Sequence, residues 1–433
     1  MARANQERVL LERLFRVAVA AVEPGRLVGE RLRTLRLGAA RVWLIAAGKA
    51  APAMAREAVR RLGPAIAGGV VVAPHRLRGL PATVRAFVGG HPLPNRASLA
   101  AGRFAWKLLG AVRRDDVVLV LLSGGASSLL VLPAAGISLR DKIRTTELLL
   151  RAGASIGEVN AVRKHVSRLK GGGLARRAGK ARVICLALSD VIGGSPAVIG
   201  SGPAATDPTT YADALRALER HEILERVPTR IRRHLERGRD GRLPETLKPG
   251  ELRTRNLVIG DNRLALEAAW AEARSLGIDC EILTASLRGD TRRSARRFGS
   301  VLRSRGLTLR RSRCVLAGGE TTVDVHGGGR GGRNQEFALA LVEDLRGLGS
   351  VQCLSAGSDG RDGPTDAAGA FVDGTSSERA ARRGLEPADV LARNDSYAFF
   401  RALGDLFVTG PTGTNVMDLK IAILRPSRRG KGV

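Results

Sequence analysis

Most residues of this chain that could do chemistry sit at six glycine-bearing corners, each following a short apolar run. These are Trp43-Leu-Ile-Ala-Ala-Gly-Lys49, Leu121-Leu-Ser-Gly-Gly-Ala-Ser-Ser128, Leu186-Ala-Leu-Ser-Asp190, Leu316-Ala-Gly-Gly-Glu320, Leu354-Ser-Ala-Gly-Ser-Asp-Gly360 and Val408-Thr-Gly-Pro-Thr-Gly-Thr-Asn415. In open α/β sheets the chain leaves a strand at its carboxyl end with unpaired backbone N–H groups, and ligands bind there. One such corner means little. Six of them, bearing Lys, Ser, Asp and Glu, suit a large polyanionic ligand.

Lys49, after Gly48, can reach a phosphate placed over a helix N-terminus. The pattern is not a Walker A loop, because the earlier glycine is missing and Ala50 follows the lysine. A solvated lysine at a helix start is the ordinary alternative, although helix N-termini repel cations. Ser123, Gly124, Gly125 and Ala126 offer close backbone approach and a hydroxyl to phosphate oxygens, or else form only a tight turn. Asn160, Arg163, Lys164 and Ser167 fall at helical spacing ahead of Lys170 and Gly171-Gly-Gly173, so one helix face could present them, functional or merely solvated. Asp190 reads as a metal ligand, a base or an N-cap.

Gly327-Gly-Gly-Arg-Gly-Gly332 matches the GxGxxG expression, with a strand expected before it, a helix after it, and Asp359 about 27 residues on. That pattern supports a dinucleotide site. Arg330 and Arg333 crowd the segment, however, and arginines held by glycines suit a transferring phosphoryl group better. Glu320, Asp359, Asp362 and Asp366 supply hard oxygen donors for Mg²⁺, which binds through one or two carboxylates plus substrate phosphates. The last three also make ordinary turn composition. No GxSxG elbow is present, which argues against a serine triad.

With 433 residues, 44% of them hydrophobic, the chain can build two to three cored domains. A net charge of +30 would suggest nucleic acid, but nine of the 71 bases are lysines, the bases are spread along the chain, and aromatics make up 3%. The excess arginine reads as a habit of composition with some affinity for anions, and no nucleic-acid partner is expected. No stretch approaches the roughly 20 apolar residues of a membrane span. The N-terminus reads as a packing helix rather than a signal peptide, with Leu11, Leu14, Phe15, Ala18 and Val22 on one face and Pro24-Gly25 as its stop. Four dispersed cysteines and six histidines without metal spacing point to a reducing compartment, the cytoplasm.

Strand-length runs at 42–47, 69–73, 117–122, 182–188, 256–259, 281–284, 314–317, 321–325, 351–355 and 406–409 alternate with helical patterns at 51–62, 141–151, 263–276 and 333–346. Alternation of this kind predicts an α/β chain with mostly parallel sheets. The breaker-rich stretch 237–255 is the expected boundary, giving domains 1–245 and 246–425 and a basic tail at 426–433.

Nearly end to end, from about residue 8 to 424, the sequence resembles the class II glycerate kinases, a glycerate 2-kinase family whose C-terminal part is the MOFRL region. Some members are labelled hydroxypyruvate reductases. The resemblance rests on Gly90-His-Pro-Leu-Pro-Asn95, Leu122 to Ser128, Asn160-Ala-Val-Arg-Lys-His165, Leu188-Ser-Asp-Val191 and Gly200-Ser-Gly-Pro203. Further on it rests on Gly318-Gly-Glu-Thr-Thr-Val323, Gly332-Arg-Asn-Gln-Glu336, Asp359 to Asp366 and Thr409 to Asn415. Small departures stand at Ser358, where the family often has Thr, and at Met417, where it often has Asn.

The resemblance implies ATP-dependent phosphorylation of D-glycerate at its 2-hydroxyl, with Mg²⁺, in two Rossmann-like α/β domains enclosing an interdomain cleft. Lys49 and Arg330 would then stabilise the transferring phosphoryl group, and Asp190 would orient or deprotonate the hydroxyl. Gly48, Ser123 to Ala126, Lys170 and Asn415 would hold nucleotide, Glu320 and Asp359 the metal, and Arg333 or Lys164 the glycerate carboxylate. Both substrates are anions, so a basic site would draw them in. A monomer or homodimer is expected, with no membrane partner. The alternative is an NAD(P)H-dependent hydroxypyruvate reductase.

Overall fold

The computed structural model describes residues 2–252, 254–307, 309–348 and 351–426; of the expected basic tail only Pro426 falls within them. The chain forms two compact units. One runs from Pro24 to Ile259, and the other joins Met1–Glu23 to Gly260–Val433.

The first unit is built on β1 (Val42–Ala47), β2 (Ile66–Ala73), β3 (Val84–Val88), β4 (Val117–Leu122), β5 (Arg182–Leu188) and β6 (Thr254–Gly260). They lie in the order β3-β2-β1-β4-β5-β6. The four pairings that join β3 to β5 are parallel, with Leu44 opposite Leu119 and Leu119 opposite Ile184. This is the strand order of the doubly wound dinucleotide-binding folds, in which the order reverses between β1 and β4 and leaves a crevice outside their carboxyl ends. All six residues of β4 are buried, as expected of a strand covered on both faces. A separate helical core packs Leu149, Val159, Val162, Leu215, Leu218, Ile231 and Leu235.

The second unit's sheet contains β7 (Asp279–Leu287), β8 (Arg313–Gly319), β9 (Val351–Gly357), β10 (Gly369–Asp373), β11 (Leu406–Phe407) and β12 (Asp418–Leu424). Their order is β11-β10-β9-β12-β8-β7. Here the expectation of parallel pairing is refined. β7 and β8 are parallel, but β12 enters antiparallel between β8 and β9, and β10 pairs antiparallel with both its neighbours.

The run 321–325 is not a strand; Thr322 makes only an isolated bridge with Asp290. The expected N-terminal helix forms over Ala2–Ala21, buries Leu11, Leu14, Phe15, Ala18 and Val22, and packs in the second unit, where Phe15 meets Phe407 edge-on at 5.1 Å. Among the described residues no helix is long and apolar enough to cross a membrane.

Candidate active site

In the first unit the corners after β1 and β4 are built against each other. Gly48 has φ +135°, and a Cβ there would lie 2.1 Å from the Ser123 hydroxyl, so glycine is required. The Lys49 backbone N–H donates to Gly124 O at 2.8 Å, and the Ala50 N–H donates to Ser123 Oγ at 3.0 Å. Ser123 thus ties the two turns together. Gly125, at φ +83°, would place a Cβ 2.7 Å from the His91 ring.

Lys49 stands at this junction, half-buried, just ahead of the helix Ala51–Leu62. Its charge acts on both His91 and Asp190. Burial raises the Asp190 carboxyl above its ordinary range, and its own backbone N–H and Lys49 only partly reverse this. Burial, then Lys49, lowers the His91 imidazole. A carboxylate that resists ionisation, beside an ammonium, at the end of β5, is equipped to accept a proton.

The basic segment 160–170 divides its residues between two surroundings. Lys164 is buried and forms an ion pair with the fully buried Asp207 at 3.0 Å, so its charge is matched inside the fold. Burial would raise the Asp207 carboxyl, but Lys164 and Thr209 more than offset it. Arg163, the next residue on the helix Ile156–His165, lines a different cavity from Lys164, about 100° of helix turn away. Neighbours on one helix thus face different surroundings.

Lys170 donates to Ser127 Oγ at 3.0 Å and to Gly200 O at 3.2 Å. Ser127 meets the Ser201 hydroxyl at 2.9 Å, and Ser201 donates to Asn160 Oδ1 at 3.0 Å. Burial, together with Lys142 and Arg163, pushes the Lys170 ammonium well below its usual range.

In the second unit the carboxyl ends of β8 and β9 meet the amino end of β12 and the start of the helix Arg333–Leu345. Arg333 grips Asp418 with two hydrogen bonds, at 2.7 and 3.0 Å, and reaches Glu320 at 2.7 Å. Burial opposes its charge, but these carboxylates raise its pKa beyond the ordinary arginine range. Asp418 also accepts from Asn334 Nδ2 at 3.0 Å and lies 3.7 Å from the buried Lys420.

Asp362 is spent on the helix start, accepting from the backbone N–H groups of Asn334 and Gln335 at 2.9 and 2.8 Å. Asp366 accepts from the Tyr397 hydroxyl at 2.8 Å. Asp359 accepts the Arg361 N–H at 3.1 Å, and its carbonyl receives the Thr412 N–H, which ties the 409–415 loop to this end of the sheet. Asn415 is partly exposed on that loop and accepts from Met417 N at 3.1 Å.

The glycine segment 327–332 does not form a dinucleotide fingerprint. It begins eight residues after β8 ends, without an intervening strand. Three of its N–H groups are already engaged: Gly327 donates to Asn394 Oδ1, as does His326 just before it, Gly329 to Arg393 O, and Arg330 to Asp395 Oδ1, all at 2.9–3.0 Å. A Cβ at Gly327 or Gly329 would come within 2.5 Å of Arg393 O. These glycines serve close packing against residues 393–396. They hold Arg330 with its guanidinium 3.0 Å from Pro364 O and 4.8 Å above the Tyr397 ring.

Lys142 and His91 were given no role by sequence reasoning. Lys142 falls in an expected amphipathic helix; its rarity, one of nine lysines among 71 bases, is the signal that marks it. His91 lies within Gly90–Asn95 and carries no metal or triad spacing.

Two family models cover the chain. A domain of unknown function, DUF4147, matches residues 10–236, and the MOFRL family matches 313–418. The chain is 40% identical to a glycerate 2-kinase of Pyrococcus horikoshii over 395 residues, 90% of this chain and 89% of that one. An Agrobacterium vitis protein with a provisional hydroxypyruvate reductase name is 38% identical over 423 residues, 96% of this chain and 94% of that one. The crystal structure of a Thermotoga maritima glycerate kinase superposes with a TM-score of 0.90 at 39% identity, over 97% of this chain and 100% of that one. With its doubly wound first sheet, its MOFRL region and relatives matched along almost their whole length, the chain belongs to the glycerate 2-kinase family.

Proposed function

We propose that the protein transfers the γ-phosphoryl group of ATP to the 2-hydroxyl of D-glycerate, giving 2-phosphoglycerate and ADP. The observation that carries this reading is Asp190, a carboxylate held above its ordinary range with Lys49 close enough to act on it, at the carboxyl ends of β5 and β1. Asp190 takes the proton of the acceptor hydroxyl. Lys49 places positive charge on the transferring group, which phosphoryl transfer needs more than covalent help. Gly48 lets the Ser123–Ala126 turn close against the corner after β1, and that turn would cradle phosphate oxygens, with Lys170 behind it. Arg333 is matched by Asp418 and Glu320, so it acts as a positioning residue rather than a carboxylate clamp.

Glu320 and Asp359 stand at the ends of two strands of one sheet, and among the described residues no group of three or more His, Cys, Asp or Glu could hold a metal alone. Glu320, already paired with Arg333, and Asp359 are the carboxylates that would hold a Mg²⁺, which would shield phosphate charge. Cys185, Cys280, Cys314 and Cys353 are all buried and unpaired, which suits a reducing cytoplasm.

With ATP, Mg²⁺ and D-glycerate, purified protein should release ADP only when glycerate is present. The product should be dehydrated by enolase without added mutase, which marks the 2-phosphate. Release of 3-phosphoglycerate, or ADP release indifferent to glycerate, would refute the reading. NADH with hydroxypyruvate should show no oxidation. Lys49→Ala should lower kcat about 100-fold with little change in Tm; near-normal turnover would remove Lys49 from the mechanism.

A further inference from the structure

A cavity of about 330 Å³ within the first unit is lined by Lys142, Arg163, Ser127, Ser128, His91 and Glu147, with an apolar wall that includes Pro92, Leu93 and Ile143. Lys142 is 4% exposed and Lys170, whose ammonium is bonded to Ser127 in the same wall, is 2% exposed. Among the described residues no carboxylate lies within ion-pair distance of Lys142, Arg163 or Lys170. Glu147 shares the cavity but stands beyond that distance from all three. Two buried lysines and a half-buried arginine gathered without a counter-charge are costly to a fold, which would be better served by Leu or Met. The cluster is explained by an anion that the protein must bind.

We propose that this cavity is the acceptor-acid subsite, in which Lys142 and Arg163 take the carboxylate of D-glycerate while the Ser127 and Ser128 hydroxyls face its carbon chain. This rests on the kinase reading above. The size is at the small end of ligand pockets, about 300–1,000 Å³, and the apolar wall suits a short carbon chain better than an extended triphosphate. His91 forms part of the cavity and also feels Lys49, so a bound acid would lie toward the proposed phosphoryl-transfer residues.

Burial, then Arg163, lowers the Lys142 ammonium to about 7. A bound carboxylate favours the protonated amine, so above that value each binding event takes up a proton. The groups facing Lys142 are Arg163 from the helix Ile156–His165, Lys170 from the loop after it, His91 from the loop after β3, and Glu147 from its own helix. His91 is held low and stays neutral in this range.

The test combines steady-state kinetics with lysine labelling. In wild-type protein KM for D-glycerate should climb by up to about tenfold per unit between about pH 7.5 and 9, and Lys142→Arg should flatten that slope. Lys142→Met should raise KM for glycerate by about 10- to 100-fold and leave KM for ATP within about twofold. D-glycerate alone should protect Lys142 from acetic anhydride, read by mass spectrometry.

A rise confined to KM for ATP would reassign the cavity to nucleotide phosphates and overturn the proposal. Unchanged KM values with no protection would do the same while leaving the kinase reading intact. Protection without phosphoryl transfer would sustain the subsite and sink the kinase reading. If Lys142→Met fails to fold, the wild-type slope and the labelling decide the matter alone.

Discussion

Asp190→Asn should lower kcat about 1,000-fold while leaving the protein at least as stable as before. Its carboxyl is pushed up by burial, and neither Lys49 nor its own backbone N–H restores the ordinary value. An acid whose folded pKa exceeds its unfolded one stabilises the fold below the unfolded value and loses that contribution as pH rises through the folded value. Above its raised pKa the ionised Asp190 is therefore a burden on the fold, and an uncharged amide lifts it. The same group must be ionised to accept a proton, so kcat/KM in the wild type should fall as pH drops through the raised pKa, and this limb should vanish in the variant. Activity and Tm moving in opposite directions mark a residue retained for chemistry. A variant with normal kcat and raised KM alone would demote Asp190 to binding, and a large fall in Tm would show it to be a structural cap.

The corners that carry this chemistry were legible because their constraints are local. β1, β4 and β5 are continuous apolar runs, and the glycine after β1 is dictated by a hydroxyl 2.1 Å from where its Cβ would stand. Partners distant in sequence were not legible. Lys164 and Arg163 looked alike in a helical pattern, yet Asp207, 43 residues on, claims one and leaves the other in a cavity.

β12 was missed for a related reason. Asp418 and Lys420 interrupt its apolar run, yet all seven residues of the strand are buried. A charge pair becomes a core feature only when a third group from elsewhere, here Arg333, completes it. The GxGxxG match failed for the opposite reason. Its spacing is local, but its use depends on residues 393–395, which take up three of its N–H groups.

That buried network yields the largest expected effect on stability. Asp418→Asn should destabilise the second unit by about 3 kcal/mol, because it leaves Arg333 and Lys420 without the carboxylate that both face. Asp418 is fully buried and Lys420 is 1% exposed, so water cannot take the place of the lost charge. Burial alone would raise the Asp418 carboxyl, but Lys420 and Arg333 together bring it below the ordinary value. A depressed carboxyl contributes stability that is present above its unfolded pKa and is lost as pH falls through the folded one. The wild type should therefore shed this contribution in acid, and the variant, lacking it already, should show a flatter acid limb. Hydrogen exchange over 333–345 and 418–424 should rise in the variant, while exchange over β4 and β5 changes less. Adding Lys420→Met should recover part of the loss, since a buried pair replaced by neutral groups of similar size is often tolerated. If Asp418→Asn melts with the wild type and exchanges no faster at the start of the helix Arg333–Leu345, the network is not what holds Glu320 and Arg333 in place.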